Sequence, residues 1–101
     1  MPSKVVLVIR EKHTKTITVE ARVSGECRLE DVKITGDFFI YPPEALEEYE
    51  RLLRGCENAE CYLNAAAIME RTAEAIGFDW RLVSERIIKA LERYCSPGQG
   101  R

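Results

Sequence analysis

The chain reads as an α+β domain, a small antiparallel β-meander followed by about three helices packed on one face. Three observations carry that reading. Apolar residues alternate with period two only up to Tyr41. From Pro42 onward they recur every three or four residues. The polar breaks between successive strand patterns are too short to hold a crossover helix. Strands and helices segregated along a chain define α+β, and short strand connections favour antiparallel neighbours.

Val5 to Ile9 is apolar and rich in β-branched residues, a first strand. Glu11 to Thr14 breaks it. Ile17, Val19, Ala21 and Val23 then alternate with Thr18, Glu20 and Arg22, the pattern of a strand with one wet face. Ser24-Gly25-Glu26 reads as a turn. Leu29, Val32 and Ile34 carry a third strand with Lys33 and Thr35 outward. Gly36 ends that pattern, as a bulge or as a turn with positive φ. Phe38 to Tyr41 is able to extend the strand beyond the kink.

Pro42-Pro43 is expected to start the first helix, where a missing N–H costs nothing. Ala45, Leu46, Tyr49, Leu52 and Leu53 form its apolar face. Glu47/Arg51 and Glu50/Arg54 are i,i+4 pairs worth about 0.2–0.5 kcal/mol each, and Gly55 is the expected C′ residue. Asn58 suits the N-cap of a second helix. Its stripe of Tyr62, Ala66, Met69, Ala73 and Ile76, widened by Ala65 and Ile68, runs to a stop at Gly77-Phe78. Asp79 or Ser84 caps a third helix that places Val83, Ile87, Leu91 and Tyr94 on one side.

At 101 residues the chain is expected to be one domain, residues 1–95, with residues 96–101 a flexible tail lacking apolar side chains. The net charge of -2 gives no footprint for nucleic acid. No basic run points to a membrane surface, and no stretch approaches the roughly 20 apolar residues of a span. A cytoplasmic protein is expected. Asn58, Asn64 and Gln99 are the only amide residues, which with 32% charged residues leans towards a thermophile. Cys27, Cys56, Cys61 and Cys95 permit three pairings, and their spacing does not choose among them.

No catalytic constellation stands out. His13, the only histidine, lies in a polar turn and reads as a surface residue. The C-x4-C pair of Cys56 and Cys61 is a weak metal signal, because no second pair follows it. Structural or disulfide cysteines are the simpler reading. The glutamates from Glu44 to Glu50 read as a solvated helix face. Asp37 either holds its turn by accepting backbone N–H groups or makes a polar contact to a partner or to a ligand shared with one. Phe38, Phe39, Ile40 and Tyr41 are four large apolar residues in sequence. A strand sends two to each face, so one pair can enter the core and the other must be covered or exposed.

The run Ile34-Thr35-Gly36-Asp37-Phe38-Phe39-Ile40-Tyr41-Pro42, followed by Leu46, Leu52 and Gly55 on an acidic amphipathic helix, resembles the accessory domain of lipoate–protein ligases. The likeness spans Val5 to about Leu91 and is specific mainly in this block. Reading on into Tyr41-Pro42 resembles archaeal forms, in which the domain is a separate small polypeptide. Fused bacterial forms read GDFFG, and here Ile40 stands in place of that glycine. The resemblance implies a non-catalytic small subunit that binds no cofactor or metal itself. Its large partner would hold ATP, Mg and lipoate, form lipoyl-AMP, and pass the lipoyl group to a lysine of a lipoyl domain. Acceptors would be 2-oxoacid dehydrogenases and the glycine-cleavage H protein. The candidate partner interface is Gly36, Asp37, Phe38, Phe39, Ile40, Tyr41 and Pro42. The alternative, from a likeness of fold to sulfur and iron–sulfur scaffolds, is a sulfur or iron–sulfur carrier using the cysteines.

Overall fold

The computed structural model describes residues 3–10 and 15–95. His13 and the tail from Ser96 lie outside the described residues. Strands β1 (Ser3–Ile9), β2 (Ile17–Val23) and β3 (Leu29–Gly36) form an antiparallel sheet in the order β1-β2-β3. The period-two reading of β2 holds: Ile17, Val19, Ala21 and Val23 are buried, and their neighbours lie towards solvent. β3 departs from strict alternation, since Leu29 and Val32 are both buried though three apart. The cause is a register shift: Val23 faces Leu29 and Arg22 faces Asp31, so Glu30 is an extra residue.

Helices α1 (Ala45–Arg54), α2 (Ala59–Thr72) and α3 (Trp80–Tyr94) follow. α1 packs over β3 and α3 reaches β1, while α2 packs chiefly on the other two helices. Asn58 caps α2 as expected, its Oδ1 accepting the Cys61 N–H at 2.9 Å. Asp79 caps α3 by accepting the Leu82 N–H at 3.1 Å. Ser84 is no cap. It is fully buried, and its hydroxyl lies 2.6 Å from that of Tyr49, which also donates to the Trp80 carbonyl at 3.2 Å. Burial pushes the Tyr49 phenol above its ordinary pKa.

Several expectations are corrected. α1 starts at Ala45, after a turn in which the Ala45 N–H bonds the Pro42 carbonyl at 2.9 Å. Gly55 ends α1 with φ -93°, so it is not a left-handed C′ residue. The second helix stops at Thr72, and Glu74–Ile76 is instead a strand, β5, paired antiparallel with β4 (Phe39–Tyr41). Ala73 is extended, so the apparent helical stripe ends before Ala73 and Ile76. Gly77 does adopt positive φ, 76°, but it closes β5 and accepts the Lys15 N–H at 2.9 Å. Ile68 and Tyr94 are exposed rather than part of the apolar faces.

The cysteines are all paired, Cys27 with Cys95 and Cys56 with Cys61. The first pair ties the β2–β3 turn to the end of α3, and the second straddles the start of α2.

The acidic helix face is also not wholly solvated. Arg51 pairs with Glu48 rather than Glu47, and Glu50 turns to β3, where its carboxylate accepts the Ile34 N–H at 2.9 Å. β3 is an edge strand, so this bond closes part of an open edge. Glu50→Ala should cost about 1 kcal/mol in urea unfolding by orphaning that N–H, whereas Glu50→Gln keeps the acceptor. Desolvation raises the Glu50 pKa above its ordinary value, against the opposing Ile34 bond. A raised carboxyl pKa contributes stability below the unfolded pKa and loses it as pH rises through the folded one. The stability of the natural chain relative to Glu50→Gln should therefore improve as pH falls through that window.

Candidate docking surface

β4 has one buried residue between two exposed ones. Ile40 is 8% exposed, while Phe39 and Tyr41 are 61% and 62% exposed. The ribbon pairs Phe39 with Ile76, Ile40 with Ala75 and Tyr41 with Glu74. Ile76, at 68% exposure, therefore stands beside Phe39 on the outer face. Three large apolar side chains thus share one side of a two-stranded ribbon with no layer over it among the described residues. Contiguous exposed apolar groups of this kind mark interaction surfaces.

The inner side of the same segment is bound into the core. Phe38 is half-buried, and its ring centroid lies 4.7 Å from that of Phe78. Phe78 and Tyr49 each meet Trp80, at 4.9 and 5.0 Å, in edge-on contacts. This aromatic cluster fixes the ribbon from beneath, each contact adding about 0.5–1.5 kcal/mol beyond area burial. The outer face is therefore displayed on a rigid base.

Gly36 aims the ribbon through close approach, not through positive φ. A Cβ there would sit 2.5 Å from the Thr16 carbonyl oxygen and 2.9 Å from the Phe38 ring. Neither the backbone oxygen nor the packed ring is free to retreat. Gly36→Ala should destabilise by about 1–3 kcal/mol in urea unfolding, and near-ultraviolet circular dichroism should register the disturbed aromatic cluster. A neutral Gly36→Ala would show that the backbone yields there.

Of the expected interface residues, Phe38 and Ile40 serve packing. Gly36, Asp37, Phe39, Tyr41 and Pro42 are exposed. The Asp37 carboxylate takes no hydrogen bond from the described residues, so the turn-holding role is absent. Sequence reasoning missed Ile76, because its spacing also fitted a helical stripe. Its signal was local: Glu74-Ala75-Ile76 alternates polar and apolar side chains before a glycine.

The described residues contain no group of three or more His, Cys, Asp or Glu able to hold a metal ion. No described helix is long and apolar enough to cross a membrane. What the geometry defines is a small α+β domain bearing an apolar ribbon on an aromatic base. No family model and no curated protein matches the chain. Among solved structures the chain is similar to one from an archaeal lipoylation system, a bi-partite lipoate protein ligase and its E2 lipoyl domain from Thermoplasma acidophilum. Identity is 25% with a TM-score of 0.67, over 90% of this chain and 97% of that one. The fold is thus related to a component of a lipoylation system, and that component is slightly the shorter of the two.

Proposed function

We propose that this chain is the non-catalytic small subunit of a bipartite lipoate–protein ligase. It would bind a catalytic subunit that holds ATP, Mg and lipoate, and enable lipoyl-AMP formation before transfer to lipoyl domains. The observation that carries this reading is the apolar ribbon of Phe39, Tyr41 and Ile76 on a fold similar to part of such a system. The docked subunit favours the conformation of its partner whose adenylate-forming loops are ordered. Only a higher affinity for that conformation can do so.

The setting proposed is the cytoplasm of a thermophile, where disulfides such as these two persist. The sulfur-carrier alternative loses its support, because the paired cysteines offer no thiolate for a cluster or persulfide.

The test is ATP- and lipoate-dependent pyrophosphate release by a candidate catalytic subunit, with and without this chain. Release only with both present supports the reading. Lipoylation of this chain itself would make it an acceptor instead, and release by this chain alone would make it catalytic. No release, where a competent small subunit rescues the same partner, would remove the accessory role.

A further inference from the structure

The two edges of the main sheet are treated differently. At β3, α1 packs alongside and Glu50 occupies the Ile34 N–H. At β1 the register runs unbroken from Ser3 to Ile9, with no proline or bulge, and no described strand pairs with the outer side. Natural edge strands of this length are usually blunted against pairing.

Beside this open edge lies a groove of about 560 Å³ between β1 and α3. Its floor is apolar, with Val5, Leu7 and Tyr94. Its wall carries Lys89 and Arg93, one turn apart along α3; Arg86 on the same wall is already engaged in an interaction of its own. Among the described residues no carboxylate lines the groove. On the same helix Glu85 is paired with Arg81, and Glu92 lines a different depression, near Cys27.

We propose that the β1 edge accepts an acidic, extended segment of a partner protein as a fourth strand, with alternate carboxylates meeting Lys89 and Arg93. Backbone pairing supplies affinity, and alternate side-chain contacts supply selectivity. A second copy of this chain is disfavoured as the occupant. Two sheets joined β1 to β1 would bring both cationic α3 faces to one junction, and like charges oppose each other there. The surface is separate from the ribbon of Phe39 and Tyr41, so the proposal stands independently of the ligase reading.

Three labelled synthetic decapeptides test it against the full chain: alternating glutamate and valine, alternating lysine and valine, and the acidic sequence with prolines at alternate positions. Fluorescence anisotropy should show binding of the acidic peptide only, weakening as salt rises. Amide exchange should slow within β1. Lys89→Glu with Arg93→Glu should weaken the acidic peptide by about tenfold or more and admit the lysine peptide. Equal binding of the proline peptide would overturn strand addition, as would acidic binding that leaves β1 amides unprotected. No binding of the acidic peptide at millimolar concentration would overturn the proposal outright. A dimer in sedimentation with β1 protected in the absence of peptide would replace the partner with a second copy.

Discussion

If the chain is the small subunit proposed above, Phe39→Ala combined with Tyr41→Ala should weaken binding to the proposed catalytic subunit by about a hundredfold, while leaving the chain folded. Buried aromatic anchors at interfaces commonly cost about 2 kcal/mol or more each on truncation, and about 3 kcal/mol in total is already a factor of a hundred. Both side chains are more than half exposed in the free chain, so their loss should move folding stability by no more than about 0.5 kcal/mol. Phe38→Ala is the contrast, since it opens the aromatic cluster and should lower thermal stability instead. Calorimetric titration of the subunits separates the two effects. In the proposed mechanism lipoyl-AMP formation falls at subsaturating small subunit, and transfer from preformed lipoyl-AMP is spared. Equal loss of both half-reactions would defeat conformational ordering, and unchanged affinity would remove the ribbon as the docking surface.

The meander was legible because a half-wet sheet writes its burial directly into period two. Ile17, Val19, Ala21 and Val23 could face only one way once Thr18, Glu20 and Arg22 were given to solvent. The helix caps at Asn58 and Asp79 were legible for a similar reason, since a short polar side chain before an apolar stripe has a local backbone partner. β5 was not. A three-residue strand has no period of its own, and Ala73 and Ile76 happened to continue the spacing of α2. What makes Glu74–Ile76 a strand is its pairing with β4, a contact between segments far apart in sequence.

The candidate site was legible to the same depth. Alternation along Phe38–Tyr41 required two faces, but not which one the core would claim. That choice is made by Phe78 and Trp80, through a cluster that no local pattern announces. Gly36 was correctly a break in the strand, yet its cause is the approach of the Thr16 carbonyl rather than φ. Glu50 looked like its neighbours on a solvated face until β3 presented the Ile34 N–H. In each case the missing information was a tertiary neighbour.

Removing the Cys27–Cys95 cross-link should produce the largest loss of stability available from a single bond. It joins residues 68 apart in sequence, so by chain entropy it restricts the unfolded ensemble by about 4 kcal/mol. The Cys56–Cys61 link closes a separation of 5 and is worth about 2 kcal/mol on the same basis. For a chain of this size a 4 kcal/mol loss corresponds to a fall in Tm on the order of 20 °C. Calorimetry of Cys27→Ala/Cys95→Ala against Cys56→Ala/Cys61→Ala should give that order of effects. Cys27 offers a sharper check, because its φ is 65°, in the left-handed region that a Cβ disfavours. Its turn is fixed independently of the sulfur, with the Ser24 N–H bonding the Arg28 carbonyl at 2.8 Å and the Ser24 hydroxyl accepting the Glu26 and Arg28 N–H groups. Cys27→Gly/Cys95→Ala should therefore be more stable than Cys27→Ala/Cys95→Ala by about 1 kcal/mol, because glycine relieves the backbone cost that the cysteine bears. If the two double variants melt together, the turn has relaxed once the cross-link is gone, and the disulfide rather than the serine cap holds Cys27 in its left-handed conformation.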